Sequence, residues 1–182
     1  MKIVGLKITF DRTVYLAFVV LILIPLVVIV GYTTIFHFAE LNTNTFIVAL
    51  GVGICFAAYH EIAQFVHQLG HALVARMVGY PMTGVRYFAV FSFSEYPADE
   101  PALPDKLHIQ RSLGGIGALA LLFVFTILVW STRAAAASEF MRWMLNFLLF
   151  DSALLLLTSA LLSDGLLFIL NKEWKAAKSQ AQ

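Results

Sequence analysis

Charge is what this sequence has least of: Asp, Glu, Lys and Arg make up 13% of its 182 residues, against 60% hydrophobic ones. An ordinary soluble domain carries roughly 25% charged residues, so this chain cannot clothe a water-facing globule. The net charge of +1 comes with no basic cluster. Nothing is therefore provided to grip phosphates, which argues against a nucleic-acid partner. One cysteine, Cys55, excludes an internal disulfide and reads as a small buried hydrophobe. No repeat of the solenoid kind is present.

What the chain does have is long apolar runs. Four are long enough to cross a hydrocarbon core, which takes about 20 helical residues: Thr13 to Phe36, Thr45 to Val78, Leu107 to Trp130 and Met141 to Leu170. The first follows Lys2, Lys7 and Arg12, but it is longer than a signal-peptide core and no small-residue cleavage site follows it, so it reads as a retained anchor. The expected fold is an all-α integral membrane protein of about four transmembrane helices, with a short strand-like embedded segment between the second and third. Residues 1–44 would form the anchor and a loop, 45–171 the membrane core and 172–182 a tail. With the N-terminus in the cytoplasm, only Arg133 and Arg142 face outward, while the other ten Lys and Arg side chains face inward. The positive-inside rule then puts both termini in the cytoplasm. Short loops suit a prokaryotic cytoplasmic membrane.

The strand-like segment is Val85 to Phe93, rich in aromatic and β-branched residues. Pro97, Pro101 and Pro104 then hold an extended acidic stretch with Glu95, Asp99, Glu100 and Asp105, expected to be a solvated loop. Trp130, Trp143 and Trp174 suit interfacial belts. Gly51, Gly53, Gly114, Gly115 and Gly117 suit close helix packing.

Ionisable residues inside an apolar span are costly and point to function. The second span holds His60, Glu61, Gln64, His67, Gln68 and His71. His67 and His71 are four apart, which places both imidazoles on one helix face about a turn from each other. That spacing can bring two ring nitrogens to one metal ion, and a zinc site then needs a third ligand from another segment. Asp164, in the fourth span, is the candidate. It precedes Lys172 by about 12 Å of helix, and His71 precedes Arg76 by about 7.5 Å, which puts the two at comparable depth. His60 and Gln64 share the face and read as lining a polar cavity or hydrogen-bonding neighbours rather than as metal ligands.

With these motifs together, the region from Thr45 to Leu170 resembles the site-2 protease family of intramembrane zinc metallopeptidases. His67-Gln68-Leu69-Gly70-His71 matches the family's histidine motif except that Gln68 stands where the family has glutamate. Leu113-Gly114-Gly115-Ile116-Gly117-Ala118 resembles its glycine-rich third-helix motif without the usual proline, and Ser163-Asp164-Gly165 its Asp-Gly motif. The resemblance implies one Zn2+ per chain held by His67, His71 and Asp164, with Gln68 at the general-base position. It also implies an edge strand whose Val85, Tyr87, Ala89, Phe91 and Phe93 would hold a substrate's transmembrane segment as an added strand. A carboxamide accepts no proton at neutral pH, and general-base assistance is worth about 10²–10⁴-fold. The implied activity is thus a crippled zinc endopeptidase, or a pseudoprotease that binds partner transmembrane helices. A metal transporter and a haem bundle fit less well, because no continuous polar path crosses the spans and the histidines crowd onto one helix.

Overall fold

The computed structural model describes residues 2–3, 5–36, 42–132 and 138–163. Its helices are α1 (Thr13–Phe36), α2 (Thr43–Met77), α3 (Asp105–Ser131) and α4 (Glu139–Thr158), and α4 runs on into one π-helical turn, Ser159–Ser163. All four are long and apolar enough to cross a membrane. Each start has a local cause. Asn42 caps α2 by accepting from the Thr45 N–H, Ser138 caps α4 by accepting from Met141, and Asp105 places its charge in the first turn of α3.

The all-α expectation is corrected by a sheet. Strands β1 (Lys2–Ile3), β2 (Leu6–Phe10), β3 (Gly84–Phe88) and β4 (Phe91–Glu95) lie in the order β1-β2-β3-β4. β2 runs parallel to β3, which turns back antiparallel into β4. The single strand expected from Val85 to Phe93 is therefore two. The chain reverses at Ala89, whose φ of 51° lies in the left-handed region, and Val90. β2 escapes sequence reading because Leu6 to Phe10 is short and runs almost directly into the apolar α1.

Alternation within the strands explains how the sheet sits. Leu6 and Ile8 of β2 and Val85 and Tyr87 of β3 point to one face, where they pack with Val14, Ala75 and Met82 in a core bordered by Phe65, Leu69 and Ala72 of α2. Phe10 continues that face at its open end, its ring stacked on Tyr87 at 5.0 Å, while the opposite face carries exposed Phe88, Phe91 and Phe93. A second tie fixes the turn: the Thr13 hydroxyl accepts from the Ala89 N–H, and the Asp11 N–H donates to the Tyr87 carbonyl.

Helix packing is close where side chains are absent. A Cβ on Gly70 would fall on the Gly114 backbone and one on Gly114 on the Gly70 backbone, so α2 and α3 meet main chain to main chain. A Cβ on Gly53 would strike the Ile22 backbone of α1, and one on Gly51 would press the Phe140 ring. Gly117 differs, facing open space.

The distribution of polarity is inverted relative to a soluble protein. Leu16, Val20, Ile24 and Val27 of α1, Leu121, Phe125 and Leu128 of α3 and Phe150, Leu154 and Leu157 of α4 are exposed. His60, Gln64, His67, Gln68, His71, Arg111 and Asp151 are buried.

Candidate functional site

The buried polar residues of α2 form one stripe, since positions 60, 64, 67, 68 and 71 recur at helical spacing. At its C-terminal end His67 and His71 face each other, their Nε2 atoms 3.0 Å apart and their rings nearly perpendicular at 81°. His71 Nδ1 lies 2.7 Å from the Arg111 carbonyl oxygen. A carbonyl only accepts, so Nδ1 carries a proton, and in the tautomer this contact selects Nε2 is the lone-pair nitrogen facing His67. Fixing one imidazole nitrogen through a backbone carbonyl is how metal-binding histidines are oriented. Two nitrogens bound at about 2.0–2.1 Å to a tetrahedral zinc stand about 3.3 Å apart, close to the observed separation.

Two elements hold this pair in place. On α3, a Cβ at Gly115 would fall on both imidazole rings, so glycine is what lets α3 approach them. Arg111, whose carbonyl anchors His71, is itself fixed: its guanidinium lies 2.9 Å from Glu100 and 3.4 Å above the Tyr96 ring. The acidic stretch is thus not wholly solvated, for Glu100 reaches Arg111 and Glu95 pairs with Arg86 at 2.8 Å. Among the described residues no three His, Cys, Asp or Glu side chains come together as a metal group. Asp164 lies outside the described residues.

Gln68 is buried and fully engaged by β4. Its Nε2 donates to the Ser92 carbonyl at 3.0 Å and to the Ser92 hydroxyl at 2.9 Å, while its Oε1 accepts from the Ser94 hydroxyl at 2.7 Å. One turn earlier, Gln64 repeats the contact: Nε2 donates to the Val90 carbonyl at 2.9 Å and Oε1 accepts from the Ser92 hydroxyl at 2.7 Å. The match is metric. Four residues advance a helix by about 6 Å, and two advance a strand by about 6.6 Å. The edge of β4 that faces α2 is therefore closed by side chains.

The five residues expected to hold substrate do not share a face. Val85 and Tyr87 lie in the core, Ala89 forms the turn, and Phe91 and Phe93 stand on the exposed face opposite Phe88 and Arg86. The side chains that do meet α2 from β4 are Ser92 and Ser94, which sequence reading passed over because serine in a strand carries no signal by itself.

Sequence reading also missed Asp151. It sits in Leu148-Leu149-Phe150-Asp151-Ser152, and an acid inside an apolar span is signal enough. The structure buries it against His60, Oδ1 to Nδ1 at 2.9 Å, while His60 Nε2 lies 3.0 Å from the Val90 carbonyl. Beside it, the Tyr59 hydroxyl donates to Thr126 of α3, whose own hydroxyl proton goes to the Leu122 carbonyl. No family model, curated protein or solved structure matches this chain.

Proposed function

We propose that this chain is a membrane-embedded, zinc-binding pseudoprotease of site-2 protease type, which engages a transmembrane segment of a partner protein without efficient peptide hydrolysis. The membrane reading rests on four spanning-length helices with apolar outer faces and a polar interior. Lysine and arginine placement gives both termini to the cytoplasm, and a prokaryotic cytoplasmic membrane suits the short connections.

The donor set fits zinc. The Nε2 atoms of His67 and His71 converge, and the Arg111 carbonyl selects the His71 tautomer that leaves a lone pair at the meeting point. Asp164 would complete the set. Zinc bound there would act as a Lewis acid and acidify a bound water.

The observation that carries the non-hydrolytic reading is the bonding of Gln68. Its carboxamide meets an acceptor, the Ser92 carbonyl, on one side and a donor, the Ser94 hydroxyl, on the other. A carboxylate would bring an unprotonated oxygen against that carbonyl, so the position is shaped for an amide. The same contact at Gln64 argues that both glutamines belong to the fold. Glu61 offers no substitute base, being seven residues and about 10 Å along the axis from Gln68.

Metal analysis of the detergent-purified chain tests the site: about one zinc per chain is expected, reduced to background in His67→Ala and Asp164→Ala. Zinc equal in all three proteins would sink the metal site. Cleavage of a reconstituted transmembrane substrate, compared for the unmodified chain and Gln68→Glu, tests the catalytic claim. Efficient cleavage by the unmodified chain would overturn the pseudoprotease reading.

A further inference from the structure

His60 has two ring nitrogens and both face acceptors: the Asp151 carboxyl at 2.9 Å from Nδ1 and the Val90 carbonyl at 3.0 Å from Nε2. The Val90 oxygen cannot donate, so Nε2 carries a proton. The Nδ1 contact then needs a second proton, either on the ring as an imidazolium facing a carboxylate, or on the carboxyl as an acid donating to a neutral ring. Both arrangements hold two protons and are net neutral. Removing one leaves a buried carboxylate and a ring with a single N–H, which cannot satisfy both contacts. His60 and Asp151 are each more than nine-tenths buried, and Asp151 Oδ2 has no hydrogen-bond partner among the described residues to compensate. The contacts are incompatible with the loss of that proton.

We propose that His60 and Asp151 form a proton-binding site at the junction of α2, α4 and the β3–β4 turn, and that its proton holds the start of β4 against α2. This goes beyond the metal site and does not depend on it. The Val90 carbonyl takes both His60 and Gln64, so it is the first link in the row of contacts that closes the strand edge. When the proton leaves to bulk base, the ring keeps one N–H. The remaining N–H goes to the now charged Asp151 carboxylate, the stronger acceptor, so Nε2 turns a lone pair to the Val90 carbonyl and that link breaks. Among the described residues, the titratable groups acting on the pair are Glu61, next to His60 and also close to Tyr87 of β3, and Tyr59, which is hydrogen-bonded to Thr126 of α3. Neither supplies a positive charge that could replace the proton.

Asp151→Asn separates the proton from the packing. Its amide can donate to Nδ1 of a neutral His60 that keeps its Nε2–H on Val90, so the shape survives with nothing left to titrate. The test is NMR of the full-length protein in lipid nanodiscs, labelled on histidine nitrogens and aspartate carboxyls, with amide exchange followed in parallel. At neutral pH the pair should hold two protons in the unmodified chain, and His60 a single ring proton in Asp151→Asn. Raising the pH should lower the exchange protection of the β3–β4 hairpin by about tenfold in the unmodified chain and leave it constant in the variant. Should Asp151→Asn fail to fold, the double variant His60→Gln with Asp151→Asn, an amide pair with no titratable group at either position, replaces it in the exchange measurement. One proton on the unmodified pair, or the same pH response with and without the substitution, overturns the proposal.

Discussion

His60 and His71 stand about three turns apart on one face of α2, and each donates a ring N–H to a backbone carbonyl, Val90 and Arg111 respectively. They differ in what meets the other nitrogen. For His60 it is a carboxyl from α4, and the contact closes with a proton. For His71 it is the like nitrogen of His67, and two such atoms 3.0 Å apart need a proton or a metal ion between them. The same residue type on the same helix is thus proposed as a proton-holding tie at one end and as a metal donor at the other, according to the element packed across from it. α4 brings an acid to one end of the stripe, and α3 brings a glycine and a carbonyl to the other.

The sharpest way to break that comparison is Gly115→Ala. The added methyl falls on both the His67 and His71 rings, so zinc should drop from about one per chain to background while the His60 ring signals stay unchanged. Metal analysis and histidine NMR on one sample read both outcomes. Asp151→Ala attacks the other end. It leaves His60 buried without its acid, and breaking a buried pair costs about 3–5 kcal/mol. Denaturation in micelles should show that loss with zinc stoichiometry retained; loss of zinc as well would mean the two ends are not independent.

Ser94→Ala sharpens the comparison between the ends and the middle. It removes the donor to Gln68 Oε1, and an unsatisfied buried acceptor costs about 1–3 kcal/mol. A stability loss without any change in zinc would assign Gln68 to strand clamping alone. The smallest effect is expected at the far side of the same turn. Thr13, which accepts from Ala89, donates its backbone N–H and hydroxyl to Asp11, and these bonds hold the Asp11 carboxyl below the usual aspartate range. The sign follows: the contribution is present above the ordinary aspartate value and fades as pH falls through the lowered folded one. Asp11→Asn should remove that acid-side loss in a stability-versus-pH profile. Thr13, which ties Ala89, is thus held by an Asp11 contact that weakens in acid, while the proposed His60 proton tie to Val90 would be lost in base.

Much of the architecture was legible from local pattern. The apolar runs mark the helices to within about two residues at most described ends, because length and hydropathy are local quantities. The pairing of His67 with His71 followed from helical periodicity alone. Glycine at 114 and 115 announced a close helix approach, but only the packing shows that Gly115 makes room for imidazoles and Gly114 for backbone. The aromatic run after α2 announced strand, and its division in two depended on a turn whose only sign was an alanine and a valine.

The sequence by itself determined that four helices of spanning length exist, that their polar residues gather on α2, and that two histidines there can share a ligand. Those statements concern residues a few positions apart, where bond geometry fixes the outcome. Only the tertiary structure decided that Asp151 meets His60 across 91 positions, that Ser92 and Ser94 occupy Gln64 and Gln68, and that β2 joins β3 from the opposite end of two long helices. Each of those contacts is set by which faces of distant elements are pressed together when apolar surfaces pack, and a buried polar group takes whatever partner that packing delivers.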